Sequence, residues 1–280
     1  MNAAVAYVTY ADPEGLDDEK ETALAAWAQA GIAGTAVRWD DPAVDWAAFD
    51  LVVVRSAWDY VGRRAEFLAW ARRVEAVTRL ANPAAVLERN TDKTYLRDLT
   101  APTIPTFWVA PGESPDLPVL GEYVVKPAIS AGARDTVRTT DRDKAAAHAA
   151  RLADAGRTAM VQPYLDMVEA EGETSLLYFG GRFSHAVRRN PMLAGGGAAP
   201  DADNARAELR IPDPDQVALA ERVLAEAAGS PGVLYARVDL VRLPGGEPAL
   251  IELELAEPYL FLRYAPGAAG DLARAVAGML

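Results

Sequence analysis

The 280 residues include no cysteine and only two histidines, His148 and His185. This excludes disulfides, thiol nucleophiles and cysteine-ligated metals, and it leaves little room for histidine catalysis or a zinc centre. No apolar run reaches the length of a membrane span. The opening MNAAVAYVTYAD has neither a basic start nor an extended apolar core, so the expectation is a cytoplasmic protein with no membrane partner. Basic residues are in deficit, 28 against 40 acidic ones, for a net charge of −12. That balance argues against a nucleic-acid partner, although a local basic pocket can still hold phosphates. The glycine signatures GxxxxGK[ST] and GxGxxG are missing as well. What remains is 51% hydrophobic residues in a chain long enough for one large domain or two to three small ones.

Strand and helix signals alternate over about the first 85 residues. AAVAYVTY, TAVRW and LVVVR read as strands; DDEKETALAAWAQAG and the segment Arg63 to Thr78 read as helices, which implies a small parallel-sheet domain. Ligands of such sheets bind beyond the carboxyl ends of the strands. RSAWDY follows LVVV there, making Arg55, Ser56, Asp59 and Tyr60 candidates for contact with a small polar substrate; a loop with an N-cap and a packed Trp58 is the plain alternative. From Thr103 the pattern becomes α+β: TIPTFWV, EYVVKPA and DTVRTT, a helix near Asp141 to Ala155, then TAMVQPY. Lys126 at the end of an apolar strand calls for an anion, because lysine is seldom buried without a partner. AISAGARD after it is either a loop presenting backbone N–H groups to phosphate, with Ser130 and Gly132, or an ordinary hairpin loop. EGETSLLYFGGRFSHAVRRN reads as a hairpin turning at Gly180 and Gly181 with Glu173 and Arg188 at its far ends, and His185 as a satisfied strand histidine. The Gly- and Ala-rich stretch 192–205 is either a lid or a connector.

The segment PALIELELAEP is harder to place in a core. Alternation puts Ile251, Leu253 and Leu255 on one face and Glu252 and Glu254 on the other, roughly 6.6 Å apart. The preceding VLYARVDLVRL and the turn PGGE make it a hairpin. With those four turn residues as the loop, Leu243 faces Pro248, Asp239 faces Glu252, and Arg237 faces Glu254. Like charges facing each other are costly, so this face is either a solvated edge or a site for a cation. With oxygen donors alone, Mg²⁺ or Mn²⁺ suits it better than zinc.

The order of these motifs, NTDK, VVKPAISAGARDT, MVQPY, ARVDL and IELEL, resembles the ATP-grasp superfamily over essentially the whole chain. The finer pattern is similar to the branch containing the O-ureido-D-serine cyclo-ligase of D-cycloserine biosynthesis, akin to prokaryotic glutathione synthetase. The resemblance implies an N-terminal α/β domain at 1–88 and two α+β lobes clasping ATP, a central one at 89–165 and a C-terminal one at 166–280. It implies that Lys93, Lys126, Ser130, Gly132, Gln162 and Glu173 bind nucleotide, with Gln162 and Glu173 on the adenine side. Asp239, Glu252 and Glu254 would hold Mg²⁺ or Mn²⁺, although Glu254 stands where the pattern most often has asparagine. Arg237, Lys126 and Arg188 would act in catalysis, and Arg55, Ser56, Asp59, Glu257 and Tyr259 would meet substrate, with Arg188 or Arg55 gripping its carboxylate. The implied activity is ADP-forming ligation: a small-molecule carboxylate becomes an acylphosphate that an amine attacks, an O-ureido-serine-like amino acid cyclising being one case. Monomer and homo-oligomer are both compatible with it. Phosphoryl transfer to a stable acceptor, a non-catalytic nucleotide-binding module and a sugar-processing carboxylate pair are the rival readings.

Overall fold

The computed structural model describes residues 2–11, 15–190, 207–227 and 233–280; the Gly- and Ala-rich stretch 192–205 lies outside them. The first sheet is wholly parallel, in the order β2-β1-β3-β4, from β1 (Ala4–Thr9), β2 (Ala33–Arg38), β3 (Leu51–Ser56) and β4 (Arg79–Ala81). Between these strands run α1 (Lys20–Gln29) and α2 (Arg64–Glu75). β3 is buried at every position, as expected of a strand covered on both faces. α1 ends at Gly31, whose φ of +76° is a left-handed conformation that costs glycine little.

After α3 (Ala84–Asn90) and a 3₁₀ turn at Lys93–Asp98, a second sheet forms in the order β5-β8-β6-β7. Its strands are β5 (Phe107–Val109), β6 (Tyr123–Pro127), β7 (Val137–Thr139) and β8 (Ala159–Pro163), all antiparallel. α4 (Arg142–Asp154) covers it, capped by Asp141, which accepts from the N–H groups of Asp143 and Lys144. The short α5 (Met167–Glu171) leads to the third sheet, order β11-β10-β9-β12-β13. It comprises β9 (Glu173–Phe179), β10 (Arg182–Arg189), β11 (Glu208–Arg210), β12 (Tyr235–Arg242) and β13 (Pro248–Glu254), with α6 (Pro214–Ala227) on one face. α7 (Ala268–Ala277) closes the chain against α1. No helix of the described residues is long and apolar enough to cross a membrane.

β13 is an edge strand, yet its open side is covered by side chains. The Tyr95 hydroxyl bonds both the carbonyl and the N–H of Leu253, at 2.9 and 2.8 Å. Asn90 donates to the Leu253 carbonyl and accepts from Leu255 N–H, and the chain at Pro102–Ile104 pairs with Leu250. Asn82, fully buried, donates to the carbonyls of Tyr235 and Leu255 and accepts from Leu234 N–H. The first sheet is thereby joined to the third through hydrogen bonds as well as through a shared apolar core of Val5, Leu51 and Val53 with Leu177, Leu260 and Leu272.

Glu19 adds a further tie and a pH dependence. Its carboxylate accepts from the N–H groups of Leu260 and Leu262, on either side of Phe261, which has a φ of +54°. Burial pushes the Glu19 carboxyl up to about 7, against the pull of Arg55 3.5 Å away. Because the folded state holds this proton more tightly than the unfolded chain, its contribution is fully present below about pH 4.5 and is lost as pH rises through about 7. Glu19→Gln should flatten the fall in stability over that window, as measured by urea unfolding at stepped pH.

Candidate active site

A cavity of about 370 Å³ opens between the second and third sheets, with the ends of β1 and β3 closing one side. Lys93 begins the 3₁₀ turn. Its ammonium donates to the Ser130 carbonyl at 2.7 Å and pairs with Glu252 at 3.1 Å. Lys126 enters from β6 and lines the same space, but it has no hydrogen bond or ion pair among the described residues. Desolvation lowers its pKa, opposed by the charge of Glu252. Ser130 and Gly132 form the neighbouring wall in a loop where Gly132, Ala133 and Asp135 all have positive φ, of 60°, 54° and 62°. Gln162 lies buried beside the cavity with its amide on Thr106 at 2.9 Å.

β12 and β13 supply the acidic wall. Asp239 faces Glu252 and Arg237 faces Glu254, in the register the sequence implies, but by a different route. Arg242 rather than Leu243 pairs with Pro248, and a bulge at Ile251 restores the step. The expectation that Ile251 shares a face with Leu253 is therefore corrected: Ile251 lines the cavity beside Glu252. Each carboxylate is held by a cation. Arg237 donates to Asp239 at 3.0 Å, to Glu254, and to the Tyr259 carbonyl at 3.1 Å; Arg189 bonds Asp239 at 2.9 Å and Glu173 at 2.6 Å. Burial works to raise the Asp239 carboxyl, but Arg189 and Arg237 outweigh it and hold the group low. Burial raises Glu254, with Arg237 pulling the other way. Among the described residues no three Asp, Glu or His groups converge as a preformed metal site. The oxygens on this wall are carboxylate oxygens, the ligand type a hard divalent cation takes.

Several expected positions move. Arg188 does not enter the cavity; its guanidinium bonds the Glu171 carbonyl and Asn190, and Arg189 stands there instead. The cause is a second bulge, at Ser184, that slides Glu173 from Arg188 to Arg189. Glu173 is accordingly joined to Asp239 through Arg189, whereas Gln162 bonds Thr106. Arg55 is corrected too. β3 continues to Ser56, and the pairing of β1 with β3 skips Arg55, which lies 2% exposed, stacks 4.9 Å from the Tyr235 ring and donates to the Pro258 carbonyl. Ser56 bonds Asp17 and Thr9, and Asp59 accepts from Trp39, so neither faces the cavity. Trp58 and Tyr60 do, together with Glu257 and Tyr259.

Those last two are carried by a strap, residues 256–262, anchored carbonyl by carbonyl. Tyr235 reaches Ala256, Trp58 donates to Glu257, Arg55 to Pro258, and Arg237 to Tyr259; His185 Nε2 lies 3.0 Å from the Leu260 carbonyl. His185 is thus a satisfied, buried histidine that does not line the cavity. A local glycine is equally constrained: at Gly172, φ is +74° and a Cβ would lie 2.4 Å from the Arg189 carbonyl. Gly172→Ala should cost at least roughly 2 kcal/mol and loosen Arg189, which urea unfolding and ATP titration would register.

Residues 5–82 match the family described as D-cycloserine synthetase DcsG, N-terminal domain. Over 296 aligned residues the chain is 37% identical to the cycloserine biosynthesis protein DcsG of Streptomyces lavendulae, covering 99% of this chain and 98% of that protein. The chain belongs to the DcsG family. The crystal structure of D-cycloserine synthetase DcsG matches with a TM-score of 0.91 at 34% identity, over 99% of both chains. An ATP-grasp RimK domain protein from Sphaerobacter thermophilus matches at 0.68 and 20% identity, over 99% of this chain and 100% of the other. The ATP complex of D-alanine–D-alanine ligase from Bacillus anthracis matches at 0.66 and 13% identity, over 99% and 97%. The two distant likenesses establish the fold, ATP-grasp, and family membership makes this DcsG relative an ADP-forming ligase. ATP-grasp ligases use ATP and typically a divalent metal, and the lysines and carboxylates of the cavity are of the types such a pair needs.

Proposed function

We propose that this enzyme activates a small-molecule carboxylate with ATP and closes or forms an amide-type bond with an amine nucleophile, cyclisation of an O-ureido-serine-like amino acid being the favoured case. The observation that carries the reading is the cavity's composition: Lys93, Lys126, Arg189 and Arg237 face Asp239, Glu252 and Glu254, with no cysteine in the chain and no histidine at the wall. Such a site can stabilise transferring phosphate but offers no thiol or imidazole nucleophile. The units of this reading are the spans 1–88, 89–165 and 166–280, with ATP held between the second and third.

In the first step a substrate carboxylate oxygen attacks the γ-phosphorus, the bond to the β-phosphate oxygen breaks, and ADP leaves. In the second the amine attacks the acyl carbon, phosphate departs, and the amine loses a proton. Lys126, whose ammonium has no ion pair among the described residues, would meet phosphate oxygens; Lys93 and the loop at Ser130 and Gly132, which line the same cavity, would contact them too, and Gln162 would lie toward the adenine. Arg237 and Arg189 would offset charge on the transferring group. Asp239, Glu252 and Glu254 would hold the magnesium or manganese, which when bound neutralises phosphate charge. Acyl activation needs water kept out, a role that suits the buried strap carrying Glu257 and Tyr259.

The test is ADP and free phosphate release with Mg-ATP against a panel of amino acids and ureido or amino-oxy acids. Acid-dependent, equimolar release of both products is the expected result, reduced on the order of 10²–10³-fold in Glu252→Gln and Lys126→Ala. ADP without phosphate would identify a kinase, and failure to bind ATP would sink the reading.

A further inference from the structure

Five of the described side chains that line the cavity are cations, and three of them are already answered by carboxylates. Lys93 is held by Glu252, Arg189 by Glu173 and Asp239, and Arg237 by Asp239 and Glu254. Lys126 is not, and the ligase reading gives it to phosphate. That leaves Arg134. It stands exposed in the loop between β6 and β7, and among the described residues its guanidinium has no hydrogen bond or ion pair. An arginine of this kind is ordinarily a solvated one, but here the backbone that carries it is fixed.

The loop is clamped from outside. Arg157, just before β8, reaches both of its feet: one guanidinium nitrogen donates to the Ile129 carbonyl at 3.5 Å and another to the Asp135 carboxylate. Arg151 of α4 takes the other oxygen of that carboxylate, and His148 Nε2 lies 2.8 Å from the Asp135 carbonyl. On the inner side the Lys93 ammonium holds Ser130. Between these anchors the chain turns twice on itself, the Arg134 N–H donating to the Ala131 carbonyl at 3.3 Å and the Thr136 N–H to the Ala133 carbonyl at 3.2 Å. Ala133 and Asp135, one on each side of Arg134, have φ of +54° and +62°, a left-handed backbone that is unfavourable for any residue with a Cβ. Such backbone persists where its surroundings over-determine it, and it gathers at ligand clamps. Stability is not what the clamp supplies. The Asp135, Arg151 and Arg157 side chains are 31%, 55% and 36% exposed, and ion pairs this open add little to it. What they fix is direction: Asp135 is held on the outside of the loop, and Arg134 is left lining the cavity.

We infer that Arg134 is a catalytic cation, carried by this loop to the γ-phosphate of bound nucleotide, and that Asp135 is the positioning residue that aims it. This role rests on the ligase reading and deepens it. In the transfer a substrate carboxylate oxygen bonds the γ-phosphorus while the bond to the β-phosphate oxygen breaks, and ADP keeps that electron pair. Arg134 exchanges no proton in this step; its planar guanidinium pairs with two γ-oxygens at once. Arg189 and Arg237 come from the third sheet and Arg134 from the second, so the transferring group is held from both sides of the cavity.

The probes are Mg-ADP and Mg-AMPPNP, which differ by the γ-phosphate, each titrated by calorimetry into the intact protein. Arg134→Ala should weaken Mg-AMPPNP by about tenfold or more and leave Mg-ADP within about twofold. Asp135→Asn should shift the ratio of the two affinities in the same direction by about threefold or more, with Tm within about 2 °C of the wild type. An unchanged ratio in Arg134→Ala, or equal weakening of both nucleotides, would overturn the inference. A lower Tm in Asp135→Asn with the ratio unchanged would overturn the positioning role of Asp135. Failure of the wild type to bind either nucleotide would instead overturn the ligase reading, so the failures are separable.

Discussion

Arg237→Ala is expected to lower kcat by about 10²–10³-fold and, separately, to destabilise the fold by roughly 3–5 kcal/mol. The two effects have different causes. In the folded chain one guanidinium, 5% exposed, serves Asp239, Glu254 and the Tyr259 carbonyl, so its removal leaves the half-buried Glu254 without its counter-charge, leaves buried Asp239 with Arg189 alone, and frees one anchor of the strap. The catalytic loss follows from taking away a cation placed to meet the transferring phosphate. Arg237→Lys separates them: a lysine keeps the charge but cannot serve three acceptors in one plane, so it should recover much of the stability and little of the rate. Urea unfolding together with single-turnover kinetics would check both. A variant that turns over ATP at the wild-type rate would remove Arg237 from the chemistry.

Asn82→Ala should be the most damaging substitution remote from the cavity, at roughly 3–5 kcal/mol with a fall in Tm on the order of 10 °C. The residue is fully buried and satisfies three backbone groups at once: the Tyr235 and Leu255 carbonyls and the Leu234 N–H. Alanine leaves all three desolvated and unpaired. They lie at the start of β12 and just beyond β13, so the damage should also reach the hairpin carrying Asp239, Glu252 and Glu254. Calorimetry gives the stability term. Weaker Mg-ATP binding in the surviving folded fraction would show that the site moves with the strands, whereas unchanged affinity would show that the hairpin holds its register without this clamp.

Much of the site could be read from the chain. Short-range pattern placed Lys126 at the end of a strand, put Asp239 opposite Glu252 and Arg237 opposite Glu254, and read His185 as a satisfied strand histidine. Composition removed cysteine chemistry outright. What alternation could not supply is the bulge. At Ser184 one extra residue moves the cavity arginine from Arg188 to Arg189; at Ile251 one extra residue turns an expected core side chain into the cavity; and at Arg55 the skipped pairing sends an expected substrate ligand under the strap. In the acidic hairpin the loop is one residue longer than PGGE, and the Ile251 bulge offsets it, so the right facing pairs emerge from two compensating departures.

The amino-acid order alone determined which elements form, which residue types meet on each strand face, and that the chemistry must rest on charge rather than on a side-chain nucleophile, because these properties depend on periods of two and 3.6 residues and on composition. Only the tertiary structure decided which of two adjacent arginines faces the cavity, why Arg55 serves a carbonyl, and that Arg134 lines the cavity with its guanidinium unpaired among the described residues. A bulge costs little locally and is selected by distant contacts: the Tyr95 and Asn90 bonds along β13, and the five carbonyls of the strap, held from three parts of the chain, the end of β3 and its next turn, β10 and β12. Those partners lie tens to hundreds of residues away, beyond the reach of any local pattern.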